Sequence, residues 1–360
     1  MHHTRGRVVD ITTLADFDRR LAAGARSLAG WRVTGLDLRG RGPALASVGV
    51  AQTLFQGCTF VPADEESVRR RGAVVLPRVP DVPLDSFRST LYSPRDLYDT
   101  PAYADSLDAR AYAWSRGMPD QDDALAEALH DHMIDEALTA WRGNRSIVGV
   151  MGGHELPRGS AGYADAARLG LALGARLTVA TGGGPGAMEA ANLGAFLSAQ
   201  PLAALDAALA SLAAVPSFNP DIGAWAEAAF DVIDAHSPGV DSLGIPTWHY
   251  GHEPPNPFAT AIAKFVRNAT REAILLEVCD AGIAFLPGAG GTVQEIFQDA
   301  CENYYADESS VAPMVLVGVE HWTTTVPAWP LLSTLARGRA MEPHVHLVDS
   351  VDEAVEVLAP

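Results

Sequence analysis

From residue 144 onward, short apolar runs alternate with longer segments in which apolar residues recur at helical spacing. The apolar runs have the length of buried strands and lie at 146–150, 177–180, 242–245, 283–286, 314–317 and 346–348. Helical periodicity fills the intervals, notably at 163–173, after 184, and at 196–236 with an interruption near 216–220. Because strands that alternate with helices pair in parallel, we expect an α/β fold with a Rossmann-like parallel sheet flanked by helices.

The first 143 residues have a different pattern of apolar positions. Residues 1–85 carry short apolar stretches between Gly and Pro, which predicts a strand-rich, mixed N-terminal extension. Residues 86–143 read as a helical connector, with an amphipathic helix over 122–141. The segment 54–60 is similar to one turn of a solenoid, but a single copy predicts no repeat. We therefore expect three parts, with the α/β domain at 144–360.

Charge narrows the range of partners. The chain has 360 residues, and 26 Lys and Arg against 44 Asp and Glu give a formal charge of −18. So acidic a surface repels both nucleic acid and anionic membranes. No apolar run reaches the ~18 residues of a membrane span, and no secretory signal is evident. The three cysteines form no CxxC pair, so we expect a cytoplasmic protein with neither a zinc site nor a disulfide framework.

Three of the predicted strands lead into helices through glycine-rich loops. The first loop contains Gly152, Gly153 and His154, the second covers 182–189, and the third covers 288–295. Glycine allows a ligand to approach the backbone, and the helix that follows offers unpaired N–H groups and the positive end of its dipole. Three such loops at one edge of a sheet predict a site for an anionic oxygen, most simply a phosphate.

The second loop also fits the dinucleotide pattern GxGxxA through Gly182, Gly184 and Ala187. That pattern requires an acidic partner for the ribose at the end of the next strand, about 20 residues further on. The corresponding residues, 202–206, lie in a helical run instead. This spacing disfavours NAD, and we expect no redox cofactor.

The third loop leaves two interpretations open. Thr292 and Glu295 have the spacing of a capping box, in which Glu295 would only start its helix. Alternatively, Glu295 is a functional carboxylate whose ionised form the helix dipole favours, which suits a general base better than a general acid. Upstream, a helix predicted over 257–279 would place Lys264, Arg267 and Arg271 on one face, as a phosphate clamp or as a solvated surface.

The loops at 182–189 and 287–295, in this order, resemble the Lonely Guy (LOG) family of phosphoribohydrolases, which release free bases, including cytokinins, from nucleoside 5′-monophosphates. The Gly-Pro-Gly-Ala-Met-Glu-Ala version of the second loop and the segment 253–257, Glu-Pro-Pro-Asn-Pro, are similar to the larger bacterial purine/pyrimidine nucleotide monophosphate nucleosidases. The resemblance covers about residues 144–320.

The resemblance implies roles for individual residues. The family signature P-G-G-x-G-T-x-x-E puts the catalytic glutamate at Glu295 and its paired arginine at Arg271. His154, Asn256 and Arg267 are further candidates for substrate contacts. The family needs no metal or cofactor and is usually homodimeric. The residues expected to bind the phosphate and nucleotide are Gly152, Gly153, Gly182, Gly183, Gly184, Gly186, Ala187, Glu189, Gly288, Gly290, Gly291 and Thr292.

The sequence therefore predicts a hydrolase that cleaves the N-glycosidic bond of a nucleoside 5′-monophosphate to a free base and ribose 5-phosphate. A second hypothesis is a nucleotide sensor that binds without turnover. Two features motivate it: Ala289 replaces the second glycine of the signature, and residues 1–143 match nothing in the small family core. Retention of both Arg271 and Glu295 argues against it.

Overall fold

The computed structural model describes residues 8–117, 120–249 and 253–359. These fall into two compact units, one comprising 8–88 and 120–133, the other comprising 89–117, 134–249 and 253–359. In the described part of the chain, no helix is long and apolar enough to cross a membrane.

The strands are β1 Val9–Ile11, β2 Trp31–Thr34, β3 Leu54–Gln56, β4 Val74–Leu76, β5 Ile147–Met151, β6 Thr178–Thr181, β7 Leu243–Gly244, β8 Ala261–Ile262, β9 Ile283–Phe285, β10 Met314–Val317 and β11 Val345–Val348. The helices are α1 Leu14–Ala22, α2 Gly42–Ser47, α3 Pro62–Arg70, α4 Pro94–Leu97, α5 Leu107–Ser115, α6 Gln121–Arg142, α7 Ala161–Gly174, α8 Ala187–Phe196, α9 Leu202–Leu212, α10 Ile222–His236, α11 Asn268–Glu277, α12 Gly290–Tyr305, α13 Trp329–Ala336 and α14 Val351–Leu358.

The first unit is a stack of parallel strands in the order β1-β2-β3-β4. Ile11, Val33, Phe55 and Val75 pair in register across it, at intervals of 22, 22 and 20 residues, and all four are buried. The turn at 54–60 is therefore one rung of a short repeat, which the sequence analysis did not predict. The rungs share a buried central position but little sequence, so the repeat has no visible signature.

The second unit contains a seven-stranded sheet in the order β11-β10-β9-β5-β6-β7-β8, with every neighbouring pair parallel. This order confirms the expected α/β fold with a parallel sheet flanked by helices. From β5 the chain winds outward to β8, then returns to place β9 on the other side of β5. The loops after β5 and β9 consequently leave the sheet in opposite directions and open a crevice, where ligands bind in such folds.

The helix predicted over 257–279 is wrong in its first half. Residues 258–266 are almost all buried and include β8, the edge strand of the sheet, and α11 begins only at Asn268. The apolar run was too short and too continuous to separate a buried strand from a helix by periodicity. As a result, Lys264 and Arg267 do not share a helical face with Arg271.

The helices that follow β5 and β6 pack backbone against backbone. Gly170 of α7 faces the carbonyl group of Ala191, and Gly194 of α8 faces the carbonyl group of Ala167. A Cβ atom at either glycine would overlap the backbone of the other helix. The pair therefore lies unusually close, as part of the core beneath the glycine-rich loops.

Candidate functional site

A cavity of about 410 Å³ lies at the crevice predicted by the strand order, where all three glycine-rich loops meet. Residues 246–247 after β7, Glu253, and one side chain from α11 complete its wall. Its lining consists of Gly152, His154, Gly182, Gly184, Met188, Pro246, Thr247, Glu253, Arg271, Ala289, Gly291, Thr292 and Glu295. The structure therefore brings together eight of the predicted site residues: Gly152, His154, Gly182, Gly184, Arg271, Gly291, Thr292 and Glu295.

Two glycines are required by how closely the loops approach one another. Gly152 has φ +97°, and a Cβ atom there would overlap the carbonyl oxygen of Leu286, at the end of the neighbouring strand. Gly186 has φ +74°, and a Cβ atom there would overlap the carbonyl oxygens of Gly153 and His154. L side chains rarely adopt such angles, so both positions favour glycine even without a ligand.

The third loop offers the clearest anion site. α12 begins at Gly290 with Ala289 as its N-cap, so the N–H groups of Gly290, Gly291 and Thr292 have no carbonyl partner within the helix. No acidic side chain lies in this first turn, which leaves the positive end of the dipole unneutralised. Beyond Cβ positions at Gly290 and Gly291 there is open space. An anionic oxygen can therefore reach the backbone here.

The capping box predicted for this helix is wrong. Thr292 occupies the third position of α12 rather than the N-cap, and Ala289 makes no side-chain capping bond. Thr292 instead packs against Gly288, where a Cβ atom would overlap its hydroxyl group. Nε2 of His321 also holds Gly288, either accepting from its N–H at 3.3 Å or donating to its carbonyl at 2.9 Å, as the tautomer dictates. Gly288 therefore shapes the loop, and Glu295 is released from a capping role.

The second loop contributes fewer donors than the sequence suggested. The N–H of Gly183 donates to Oγ1 of Thr181 at 3.0 Å, and the N–H of Ala187 donates to the carbonyl of Gly153 at 2.9 Å. Glu189, nominated as a nucleotide contact, is buried in an ion pair with Arg158 and does not line this cavity. Gly182 and Gly184 remain at the cavity wall.

Arg271 and Glu295 face each other inside the cavity. Nη1 of Arg271 lies 3.7 Å from Oε1 of Glu295, close enough for an ion pair but too long for a hydrogen bond. Both side chains are largely buried, at 10% and 16% exposure. Nε of Arg271 is buried and donates no hydrogen bond within the described residues. Nη1, which is not hydrogen-bonded to Glu295, is the donor that a ligand oxygen between the two groups can reach.

A polar bridge between α11 and α12 holds this arginine. Nη2 of Arg271 donates to Oδ1 of Asn268 at 3.2 Å. The carboxylate of Glu272 accepts from Nδ2 of Asn268 and from Nε2 of Gln294, each at 2.6 Å. Because Gln294 precedes Glu295 on α12, the bridge ties the backbone beside Glu295 to the helix that carries Arg271.

The ionisation of Glu295 differs from the sequence expectation. Burial raises the pKa of Glu295 to about 7, and the nearby carboxylate of Glu272 adds to the rise, while Arg271 opposes it. Desolvation therefore outweighs the attraction of Arg271, and a pKa of about 7 lets Glu295 exchange its proton near neutral pH. Such a group can act as a general acid or a general base, whereas the sequence favoured a general base, or a stabiliser of developing positive charge, over an acid.

Asp299 lies one turn beyond Glu295 on α12 and was not nominated from the sequence. Burial raises its pKa to about 8, and its Oδ2 has no hydrogen-bond partner among the described residues. The helical spacing i, i+4 puts it on the same face as Glu295. No feature of the local sequence signalled it, because its burial comes from tertiary packing.

Three basic or amide residues nominated upstream lie outside the cavity. Asn256 is fully buried and donates from Nδ2 to the carbonyl of Gly184 at 3.1 Å, so it supports the second loop rather than contacting a ligand. Arg267 is exposed at the N-cap of α11. Lys264 is buried 2.6 Å from Asp108, whose carboxylate also accepts from the indole of Trp248. Lys264 therefore forms part of the core.

His154 and Gly153 have different positions on the first loop. His154 lines the cavity, and its Nε2 lies 3.6 Å from Oε1 of Glu155. Gly153 is covered by Ala187, so it supports the contact between the first and second loops. Within the described ranges, no group of three or more His, Cys, Asp or Glu side chains is placed to hold a metal ion.

No protein-family model matches the sequence, and no curated protein matches it. Solved structures with a similar fold include the molybdenum cofactor binding protein of the phototrophic bacterium Rippkaea orientalis, at 16% identity and a TM-score of 0.36, and the molybdenum cofactor carrier protein of Chlamydomonas reinhardtii, at 17% and 0.36. These matches cover 59% of this chain and 94% and 98% of the other chains. The structural genomics target TM1055 matches at 15% identity, over 59% of this chain and 97% of its own, with a TM-score of 0.33. The likeness is to the fold alone.

Proposed function

We propose that this chain is a LOG-type phosphoribohydrolase that cleaves the N-glycosidic bond of nucleoside 5′-monophosphates. The observation that carries the proposal is the Arg271–Glu295 pair, which lies in the same cavity as the unoccupied donor groups at the start of α12. One end of the cavity suits a phosphate, and the other holds a buried carboxyl group that titrates near neutral pH.

The reaction needs little more than these groups. The 5′-phosphate accepts hydrogen bonds from the N–H groups of Gly290, Gly291 and Thr292. As the bond from C1′ to the base nitrogen breaks, the ribosyl carbon becomes cationic and the ionised Glu295 stabilises it. A water molecule then adds its oxygen to C1′ and gives a proton to the carboxylate of Glu295. That proton passes on to the nitrogen of the departing nucleobase, which leaves Glu295 ionised again. The products are ribose 5-phosphate and the free base.

Arg271 has two tasks in this mechanism. Its guanidinium stands opposite Glu295 and favours the ionised form of that carboxyl group. Its Nη1, which lies too far from Glu295 for a hydrogen bond, is available to a ribose or phosphate oxygen, which would fix the sugar relative to the carboxylate. A planar fork of donors suits this double contact better than the single charge of a lysine.

One of the two arguments for a nucleotide sensor, the alanine in the signature, is weak. Ala289 has φ −116°, outside the left-handed range that favours glycine, so φ at this position does not call for the signature glycine. A sensor would need the phosphate-binding loops but not a buried carboxyl group opposite an arginine. The enzyme is therefore the better account of the cavity.

The test is an incubation of the purified protein with a panel of nucleoside 5′-monophosphates, followed by chromatography of the free base. We expect base release from at least one nucleotide, and none from the matched nucleosides. Thermal shift should show stabilisation by AMP and not by adenosine at equal concentration, because the loops bind the phosphate. Binding of nucleotides without release of base would instead establish a sensor. Equal stabilisation by AMP and adenosine would contradict the phosphate site.

The family likeness also suggests a homodimer. We expect light scattering of the purified chain to give twice the monomer mass of 38.0 kDa. A monomer with full activity would show that a single chain completes the site.

A further inference from the structure

A second cavity of about 340 Å³ adjoins the first. His154 and Glu253 line both cavities, so the two share a rim. The second loop lies along this boundary, with Gly184 on the first cavity and Gly186 on the second. The outer wall of the second cavity comes from residues 216–219, in the connection between α9 and α10.

The charges of the second cavity do not suit a phosphate. Arg158 lies in its lining, but its Nε donates to Oε1 of Glu189 at 3.0 Å and its Nη1 donates to the carbonyl of Trp225 at 3.0 Å. Its guanidinium also stacks on the Trp225 ring, 4.5 Å from the centroid. The exposed carboxylates of Glu155 and Glu253 add negative charge. The guanidinium of Arg158 is already hydrogen-bonded, and carboxylates lie at the rim. The lining therefore disfavours an anion and suits a neutral group.

The outer wall carries an aromatic ring and an amide side by side. Phe218 is half-buried, and its ring meets that of Trp225 edge to face, with centroids 6.2 Å apart and an angle of 73°. Asn219 is exposed beside it and lines the same cavity. An aromatic face stacks on any nucleobase, and an amide can both donate to and accept from a base edge. This pairing matches a flat, neutral, heteroaromatic ring.

We propose that the second cavity holds the nucleobase of the bound nucleotide, with Phe218 as its stacking surface and Asn219 as a specificity-determining contact. This inference rests on the proposed function, which places the phosphate at the start of α12 and the ribose beside Glu295. The base then crosses the shared rim at His154 and Glu253. The connection between α9 and α10 thereby acquires a role in choosing the substrate.

The test compares two ligands that differ only by the base. AMP and ribose 5-phosphate are titrated by calorimetry against Glu295→Gln protein, which keeps AMP intact, with and without Phe218→Ala. Loss of the stacking surface should raise the dissociation constant of AMP by about 5- to 100-fold. The dissociation constant of ribose 5-phosphate, which has no base, should not change.

Phe230→Ala serves as the matched control. Phe230 lies on α10 and packs edge to face on Tyr98, with ring centroids 5.6 Å apart, outside the lining of either cavity. It should leave the affinity for both ligands unchanged. In the otherwise unmodified enzyme, Asn219→Ala should change the ratio of kcat/KM between AMP and CMP, because the amide reads the base edge.

Two results separate failure of this inference from failure of the proposed function. If the unmodified chain releases base from AMP but Phe218→Ala leaves AMP affinity unchanged, or weakens AMP and ribose 5-phosphate equally, the base lies elsewhere and the inference is overturned. If the unmodified chain binds neither ligand, the proposed function fails and the inference fails with it.

Discussion

Replacing Glu295 by glutamine should abolish base release and, above neutral pH, make the protein more stable. Glutamine keeps the shape of the side chain but cannot carry the negative charge. The pKa of Glu295 is raised from an ordinary 4.5 to about 7 in the fold. When folding raises the pKa of a carboxyl group, the stability that the group gives the protein is complete below its pKa in the unfolded chain. That stability is lost as pH rises through its pKa in the folded protein. Ionisation of Glu295 therefore opposes folding above pH 7.

The size of the effect follows from the two pKa values. At 1.36 kcal/mol per pKa unit, the ionised carboxylate should cost about 3 kcal/mol at pH 9 and less than about 1 kcal/mol at pH 5. The side chain is only 16% exposed, so solvent screening reduces this figure little. Urea unfolding of both proteins at the two pH values measures it. We expect Glu295→Gln to gain stability at pH 9 and to be nearly unchanged at pH 5.

The control is Glu227→Gln, which removes a charge from an exposed position on α10. It should alter stability by less than about 0.5 kcal/mol at either pH. A Glu295→Gln protein that is destabilised at both pH values would refute the argument that burial dominates this site. Base release at the normal rate by the same variant would show that the carboxylate takes no part in the reaction.

Three further predictions concern groups around the same carboxylate. Arg271→Lys should lower kcat by about 10²-fold or more, because an ammonium cannot make two oriented contacts, and a kcat near that of the unmodified enzyme at saturating substrate would exclude the assigned role. Glu272→Gln removes a like charge that raises the pKa of Glu295, so the rising limb of kcat against pH, near 7, should move to lower pH; a limb that stays or moves upward would contradict this. Asp299→Asn should raise stability at pH 9 by up to about 5 kcal/mol and have little effect near pH 4, since burial raises the pKa of Asp299 to about 8; urea unfolding without that pH dependence would place its carboxylate in contact with water.

The fold class could be predicted because it depends on local pattern. Each of β5, β9 and β10 is a continuous apolar run followed by a helical period, and this alternation itself dictates parallel pairing. β8 was not predicted because its two residues lie in an apolar run with no alternation, and such a run fits a helix equally well. The four-rung stack of the first unit was not predicted for a different reason, since its strands have only three or four residues each, too few to show a period.

The loops that form the site could be predicted from the sequence, but the pKa values of its carboxyl groups could not. Glycine-rich loops after parallel strands must meet at one sheet edge, so their convergence follows from topology. The spacing of Thr292 and Glu295 fits a capping box, yet α12 starts three residues earlier because Gly290, Gly291 and Thr292 are all in the helix. The pKa of Glu295 depends on what covers it, which no local pattern records. Asn256 illustrates the same limit, as its partners come from Gly184 and from α8.

The contact of α7 with α8 gives two distant glycines control over the cavity. Both helices continue from glycine-rich loops, so the spacing between their axes sets how far apart the first and second loops stand. A methyl group at Gly170 or Gly194 would act as a wedge, since the facing backbone cannot yield as a flexible side chain can. A survey of inactivating mutations would therefore find substitutions at both glycines. Because the two glycines lie close together, they could be mistaken for a second ligand site. What would distinguish them is abundance: the wedge depletes folded protein, whereas a lost ligand contact leaves the amount of folded protein intact.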